Sequence, residues 1–125
     1  MPNSGRYLLV VEIVTAGVRD PQLLKGVLPM LVLALLAEGE SYGYELVTRL
    51  QTSGLPDVAT GTVYPVLTRL EREGRLSSRL VASDSGPARK YYRPTAEGHR
   101  LMVESRQAWE ALAAVVARTV PKETP

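Results

Sequence analysis

The groups in this chain best equipped to do chemistry are its arginines. Twelve Arg stand against three Lys, and the guanidinium fork matches a phosphate or the exposed edge of a guanine in shape. Between Arg49 and Arg93 eight basic residues occur, Arg49, Arg69, Arg72, Arg75, Arg79, Arg89, Lys90 and Arg93, against four acidic ones, Asp57, Glu71, Glu73 and Asp84. The whole chain carries a formal charge of only +2, so the excess is local. A basic stretch is more commonly a solvated face than a nucleic-acid surface, and charge decides nothing until it is combined with architecture.

Other chemistry is largely closed off. Without a single Cys there is no disulfide framework, no thiolate nucleophile and no Cys-based zinc site, and one His, His99, cannot assemble a metal cluster. No glycine loop suited to cradling phosphate and no triad of nucleophile, base and orienting acid is present. An enzyme is not expected, nor a metal or an organic cofactor.

The basic groups need elements to hold them. A chain of 125 residues, 45% of them apolar, supports one modest core and hence one folding unit. Residues 1–20 read as an N-terminal extension. Pro2 to Gly5 form a loose start, and Tyr7 to Thr15 fit a short strand or a helix equally, as a free tail or an arm against a partner subunit. No run reaches the roughly 18 apolar residues of a membrane span, since Leu8 to Val14 is short and contains Glu12. The N-terminus does not resemble a signal peptide, and a cytoplasmic protein is expected.

Asp20-Pro21 is a helix start, a capping carboxylate followed by a residue preset for the first turn. The helix should run to about Ala37, buried on most sides through Leu24, Val27, Leu28, Leu31, Leu35 and Leu36, with a kink at Pro29. Ser41 is placed to cap a second helix from Tyr42 to about Gln51. A third should begin near Thr60 or Gly61 and stop at Gly74, with Val63, Leu67 and Leu70 inward and Thr62, Pro65, Thr68, Arg69 and Arg72 free, Pro65 falling in or close to the first turn. Alternation from Leu76 to Ala82, a turn at Asp84 to Pro87 and a basic return from Arg89 to Arg93 predict a hairpin. Arg89, Tyr91 and Arg93 should share one face of the return strand and Lys90 and Tyr92 the other. Thr95 should cap a last helix reaching about Thr119, striped by Leu101, Ala108, Trp109, Leu112, Val115 and Val116.

The fold class expected is therefore mainly α with a small β-hairpin: a winged helix-turn-helix over 21–94, a C-terminal helix over 95–119 and a tail over 120–125. In that arrangement the third helix enters the major groove and the hairpin reaches along the adjacent backbone.

Three stretches make the reading specific. Gly39-Glu40-Ser41-Tyr42-Gly43-Tyr44-Glu45-Leu46, Thr60-Gly61-Thr62-Val63-Tyr64-Pro65-Val66-Leu67 with Leu70-Glu71-Arg72-Glu73-Gly74, and Arg89-Lys90-Tyr91-Tyr92-Arg93-Pro94-Thr95-Ala96-Glu97-Gly98 resemble the signatures of the PadR family of transcriptional regulators. The likeness is to the short branch with a single C-terminal dimerisation helix. It spans about residues 22–118 and departs from the family pattern at Pro29 and Pro94.

The resemblance implies a sequence-specific homodimeric repressor of double-stranded operator DNA. It makes Thr60, Gly61, Thr62, Tyr64 and Pro65 the leading edge of the recognition helix, followed by Thr68, Arg69 and Arg72, with Arg89 and Lys90 on wing phosphates. Tyr64 has core packing as its alternative role, and Arg69 and Arg72 have local pairing with Glu71 or Glu73. Dimerisation falls to Leu101, Ala108, Trp109, Leu112, Val115 and Val116, and two-fold symmetry then calls for a pseudo-palindromic operator. Trp109 is preferred as an interface core residue, with the wall of a small aromatic effector site as the alternative. A winged-helix module that binds a protein instead of DNA is the competing function.

Overall fold

The computed structural model describes residues 18–123, so most of the N-terminal extension and the last two residues lie outside it. Helix α1 spans Pro21–Glu38, strand β1 Ser41–Tyr42, α2 Gly43–Thr52, α3 Thr60–Arg72, β2 Leu76–Ser83, β3 Gly86–Pro94 and α4 Ala96–Thr119. This is the expected order of helices and hairpin, with one strand added.

The start of α1 follows the sequence directly. An Asp20 carboxylate oxygen accepts from the N–H groups of Gln22 at 2.9 Å and Leu23 at 3.4 Å, and Pro21 occupies the first helical position, where no N–H is needed. Leu24, Leu28, Val32, Leu33 and Leu36 then enter the core. By length and composition α1 could cross a membrane, with 18 residues of mean hydropathy 1.4, although no uninterrupted apolar run was expected to reach that length. The average is raised by the Leu- and Val-rich stretch after Lys25, of which Leu28, Val32, Leu33 and Leu36 are buried in the chain's own core.

The added strand corrects the reading of Ser41. Instead of capping a helix from Tyr42, Ser41 lies in β1, opposite Tyr92 of β3, and is buried. Its hydroxyl accepts from the Arg49 guanidinium at 2.7 Å. The same guanidinium donates to the carbonyls of Gly39 at 2.8 Å and Leu35 at 2.6 Å. A cation thus meets the negative end of α1, sharing the Leu35 carbonyl with the Gly39 N–H that closes the helix. Arg49 is a structural brace and leaves the inventory of groups available to a ligand.

Val63, Leu67 and Leu70 bury one face of α3. The helix starts at Thr60 as expected, Pro65 is its sixth residue, just beyond the first turn, and the helix continues through it. Gly74 then turns the chain at φ +77°, a conformation that favours glycine. The hairpin pairs Leu76 with Pro94, Ser78 with Tyr92 and Leu80 with Lys90, and β3 also pairs with β1, giving a three-stranded antiparallel sheet ordered β1-β3-β2.

Helix α4 is seated by its first turn. The Thr95 hydroxyl accepts from the Gly98 N–H at 3.1 Å and lies 2.6 Å from the Gly74 carbonyl, to which it donates. Gly98 is buried, and a Cβ there would overlap the Arg75 carbonyl oxygen. The core from α1, α2, α3 and β2 is made chiefly of leucines, with Leu28, Leu33, Leu46, Leu50, Leu67 and Leu70 essentially sequestered. Each such burial contributes on the order of 1.5–3 kcal/mol relative to exposure.

Candidate nucleic-acid interface

Burying Val63, Leu67 and Leu70 turns the opposite side of α3 to solvent. Thr60, Gly61, Thr62, Tyr64, Pro65, Thr68, Arg69 and Arg72 are all exposed. Those from Gly61 onward line an open groove of about 960 Å³, whose other wall is the start of α1, with Arg19, Pro21 and Lys25. Among the described residues neither Arg69 nor Arg72 enters an ion pair, with Glu71 and Glu73 included as possible partners. Both guanidinium forks are open to an incoming acceptor.

The α3 N-terminus is equally open. Ala59 occupies the cap without a side-chain bond, and no acidic residue lies in the first turn. Helix α1 has Asp20 at this position, and α4 has Thr95 and Glu97. The helix's own hydrogen bonds begin with the N–H groups of Thr62 and Val63, which donate to the Ala59 carbonyl. Those of Thr60 and Gly61 face outward at the positive end of the helix dipole, an arrangement suited to phosphate. Tyr64 remains 43% exposed while the hydroxyl end of its ring lies against Gly43 of α2, so the contact with the protein is made by the tip of the side chain and the rest of the ring is open to solvent.

In the hairpin the two faces separate as the alternation requires. On the outer face the Arg89 guanidinium lies 4.5 Å from the centre of the Tyr42 ring, Tyr42 meets Tyr91 edge-on at 5.3 Å, and Arg79 sits 5.9 Å over Tyr91 while pairing with Glu40. Cation–π contacts of this kind orient a guanidinium without neutralising it. On the inner face Tyr92 is buried and its hydroxyl is pushed above its ordinary pKa by that burial. Lys90, expected beside Arg89 as a phosphate contact, is exposed but ion-paired within the chain: its Nζ is 2.7 Å from an oxygen of Glu71, whose other oxygen accepts from Ser78. The Lys90 and Ser78 hydrogen bonds hold the Glu71 carboxyl below the usual carboxylate value, and Glu71 raises Lys90. Glu40 is likewise lowered by Arg79.

Sequence reasoning missed three contributors. Tyr42 was assigned to a helix, and only its pairing with β3 brings it beneath Arg89. Arg19 and Lys25 precede the basic segment, and the packing of α1 beside α3 places them on the groove; Arg19 also pairs with Asp57 at 2.7 Å.

The stripe on α4 divides. Leu101 is half-buried against the chain's own core, because it lies one turn from the tight Gly98 seat, and so is not part of an outer stripe. Ala108, Trp109, Leu112 and Val116 line an apolar groove of about 780 Å³ against Leu23, Val27 and Met30 of α1. Val115 is exposed beside it. Trp109 is 48% and Leu112 60% exposed, a large apolar surface for a solvated helix.

Comparison with known proteins agrees with this geometry. Residues 32–104 match the transcriptional regulator PadR-like family. A stretch of 77 residues, 62% of this chain and 70% of the relative, is 42% identical to the transcriptional regulator Rv3488 of Mycobacterium tuberculosis. The crystal structure of a PadR-like transcriptional regulator from Bacillus cereus superposes with a TM-score of 0.71 at 38% identity, over 82% of this chain and 99% of that one. A PadR family regulator from Eggerthella lenta gives a TM-score of 0.74 at 35% identity, over 95% and 98%. With the family match covering more than half its length, the chain belongs to the PadR-like family of transcriptional regulators, which are not enzymes.

Proposed function

We propose that this regulator is a dimeric repressor that reads a pseudo-palindromic operator, with α3 in the major groove and the β2–β3 hairpin along the neighbouring backbone. The observation that carries the proposal is the exposed face of α3. Hydroxyls of Thr60, Thr62 and Thr68, the Tyr64 edge and the forks of Arg69 and Arg72 lie beside an uncapped, acid-free helix start. The first group suits base edges and the second phosphate. Arg89, braced on Tyr42, adds a backbone contact from the wing.

The apolar face of α4 around Trp109, Leu112 and Val116 supports pairing with a second copy, since a monomer would leave it in water. Two recognition helices related by a two-fold axis read half-sites roughly 34 Å apart. An aromatic effector against Trp109 would relieve repression by changing the separation or mobility of those helices. The site of action is the cytoplasm, where the DNA is.

Fluorescence anisotropy on the protein's own upstream promoter and on scrambled DNA of equal length, at two salt concentrations, tests the reading. Selective, steeply salt-dependent binding at two subunits per site is the expected result. Failure to bind either duplex would overturn it.

A further inference from the structure

Glu71 is an acid on the element proposed to meet DNA, flanked closely by Arg69 and Arg72. A free carboxylate there would repel phosphate, and its position calls for an explanation. Both of its oxygens are engaged by the hairpin: one by the Lys90 ammonium at 2.7 Å, the other by the Ser78 hydroxyl. Ser78 belongs to β2 and Lys90 to β3. Their paired positions are Ser78 opposite Tyr92 and Leu80 opposite Lys90, so the carboxylate spans both strands on the inner face of the sheet. One side chain from α3 therefore joins the recognition helix to both strands of the wing. Charge-assisted hydrogen bonds of this kind are about twice as strong as neutral ones and directional.

Resting on the DNA-reading role proposed above, we infer that Glu71 is a positioning residue for specificity, fixing the angle between recognition helix and wing, and that Lys90 is its internal partner rather than a phosphate ligand. A rigid angle lets Arg89 reach backbone phosphate only when α3 is in register with its base edges, which turns a sequence-blind contact into a selective one. Glu71 also cancels Lys90. Of the two adjacent wing cations, only Arg89 then releases counterions from DNA.

The inference makes the removal of a negative charge harmful to recognition. Glu71→Gln should tighten binding to unrelated duplex several-fold and steepen its log–log salt slope by about one, because Lys90 is set free. The preference for selected over unrelated DNA should fall about tenfold, as expected for loss of one charge-assisted bond that fixes geometry. Lys90→Met should instead weaken binding to any duplex, because it leaves the Glu71 carboxylate unpaired beside Arg69 and Arg72, and Arg89→Met should lower the salt slope by about one. A destabilised fold alone would not steepen a salt slope.

The experiment combines backbone ¹⁵N relaxation of the free full-length protein with binding to a duplex enriched from a random pool by the wild type and to a scrambled control. It uses the wild type, Glu71→Gln and, as a milder break from the wing side, Ser78→Ala. Reduced order parameters in β2 and β3 together with lost selectivity support the inference. Unchanged hairpin dynamics in both variants overturn the clamp without reference to DNA. A loosened hairpin with selectivity retained overturns the specificity role alone. A wild type that enriches no sequence overturns the DNA reading, and the specificity role with it.

Discussion

The ring of Tyr64 occupies the space that a Cβ on Gly43 would fill. This contact lets α3 approach the start of α2 while Tyr64 still presents its outer edge. What a methyl group would meet is the far end of an exposed side chain, not backbone, and the ring can swing away cheaply. Gly43→Ala should therefore change stability by less than about 1 kcal/mol, with alanine's better helix propensity partly offsetting the lost contact. It should nonetheless displace Tyr64 and weaken selective DNA binding several-fold. Thermal melts set beside anisotropy check this, and a large loss of stability at full affinity would contradict it.

Gly98 presents the opposite case. Here the obstacle is the Arg75 carbonyl, which also accepts from the Thr95 N–H at 3.1 Å. Backbone held at both ends cannot move aside, so Gly98→Ala has to lift the first turn of α4 from the turn after α3. A cost of about 1–3 kcal/mol follows, or a drop in Tm of roughly 4 °C per kcal/mol for a chain of this size. Differential scanning calorimetry reads it, and an unchanged Tm would show that the seat of α4 is looser than the structure has it.

These two glycines show where the sequence was legible. Periodicity located all four helices and the hairpin, because burial of Leu and Val at spacings of 3.6 and 2 leaves a pattern that survives without coordinates. Local capping was legible at Asp20 and Thr95. It failed at Ser41, where a long-range pairing with Tyr92 outweighed a local preference, and no windowed reading contains that partner. The exposed face of α3 was visible as the complement of its buried one. The pairing of Lys90 with Glu71 was not, because alternation gives the face of a side chain but not whether an acid waits there.

The exposed Trp109 and Leu112 give the dimer proposal a direct test. Leu112→Glu places a charge in the middle of the apolar groove between α4 and α1, and burying it unpaired against a second copy would cost several kcal/mol. Sedimentation equilibrium should show a dimer for the wild type and a monomer for this variant, with the monomer keeping its far-UV CD spectrum because Leu112 is outside the core while its Tm loses the concentration dependence that association gives the wild type. Trp109 is the sole Trp in the chain, so its emission should shift to longer wavelength as the dimer is diluted apart. Identical sedimentation of the two proteins would remove α4 from the interface.

Acid should loosen the wing before it unfolds the core. The Glu71 carboxyl is held below its ordinary value by Lys90 and Ser78, and Glu40 below its own by Arg79. A group whose folded value is depressed contributes stability that is fully present above the unfolded value, about 4.3 for Glu, and is lost as pH falls through the folded value. Lys90, raised by Glu71, works in the other sense: its contribution is present below about 10.4 and disappears as pH rises through the folded value. Stability assigned to the clamp should thus be flat from about pH 5 to 10 and fall at both ends. A ¹³C titration of the Glu71 carboxyl should give a midpoint below that of a glutamate in an unstructured peptide, and amide exchange in β2 and β3 should accelerate over the same interval. In Lys90→Met the midpoint should move back up, since the largest cause of the depression has been removed. A Glu71 midpoint at or above the peptide value would mean that the ion pair is not formed in solution, and hairpin exchange would then follow the global unfolding of the core.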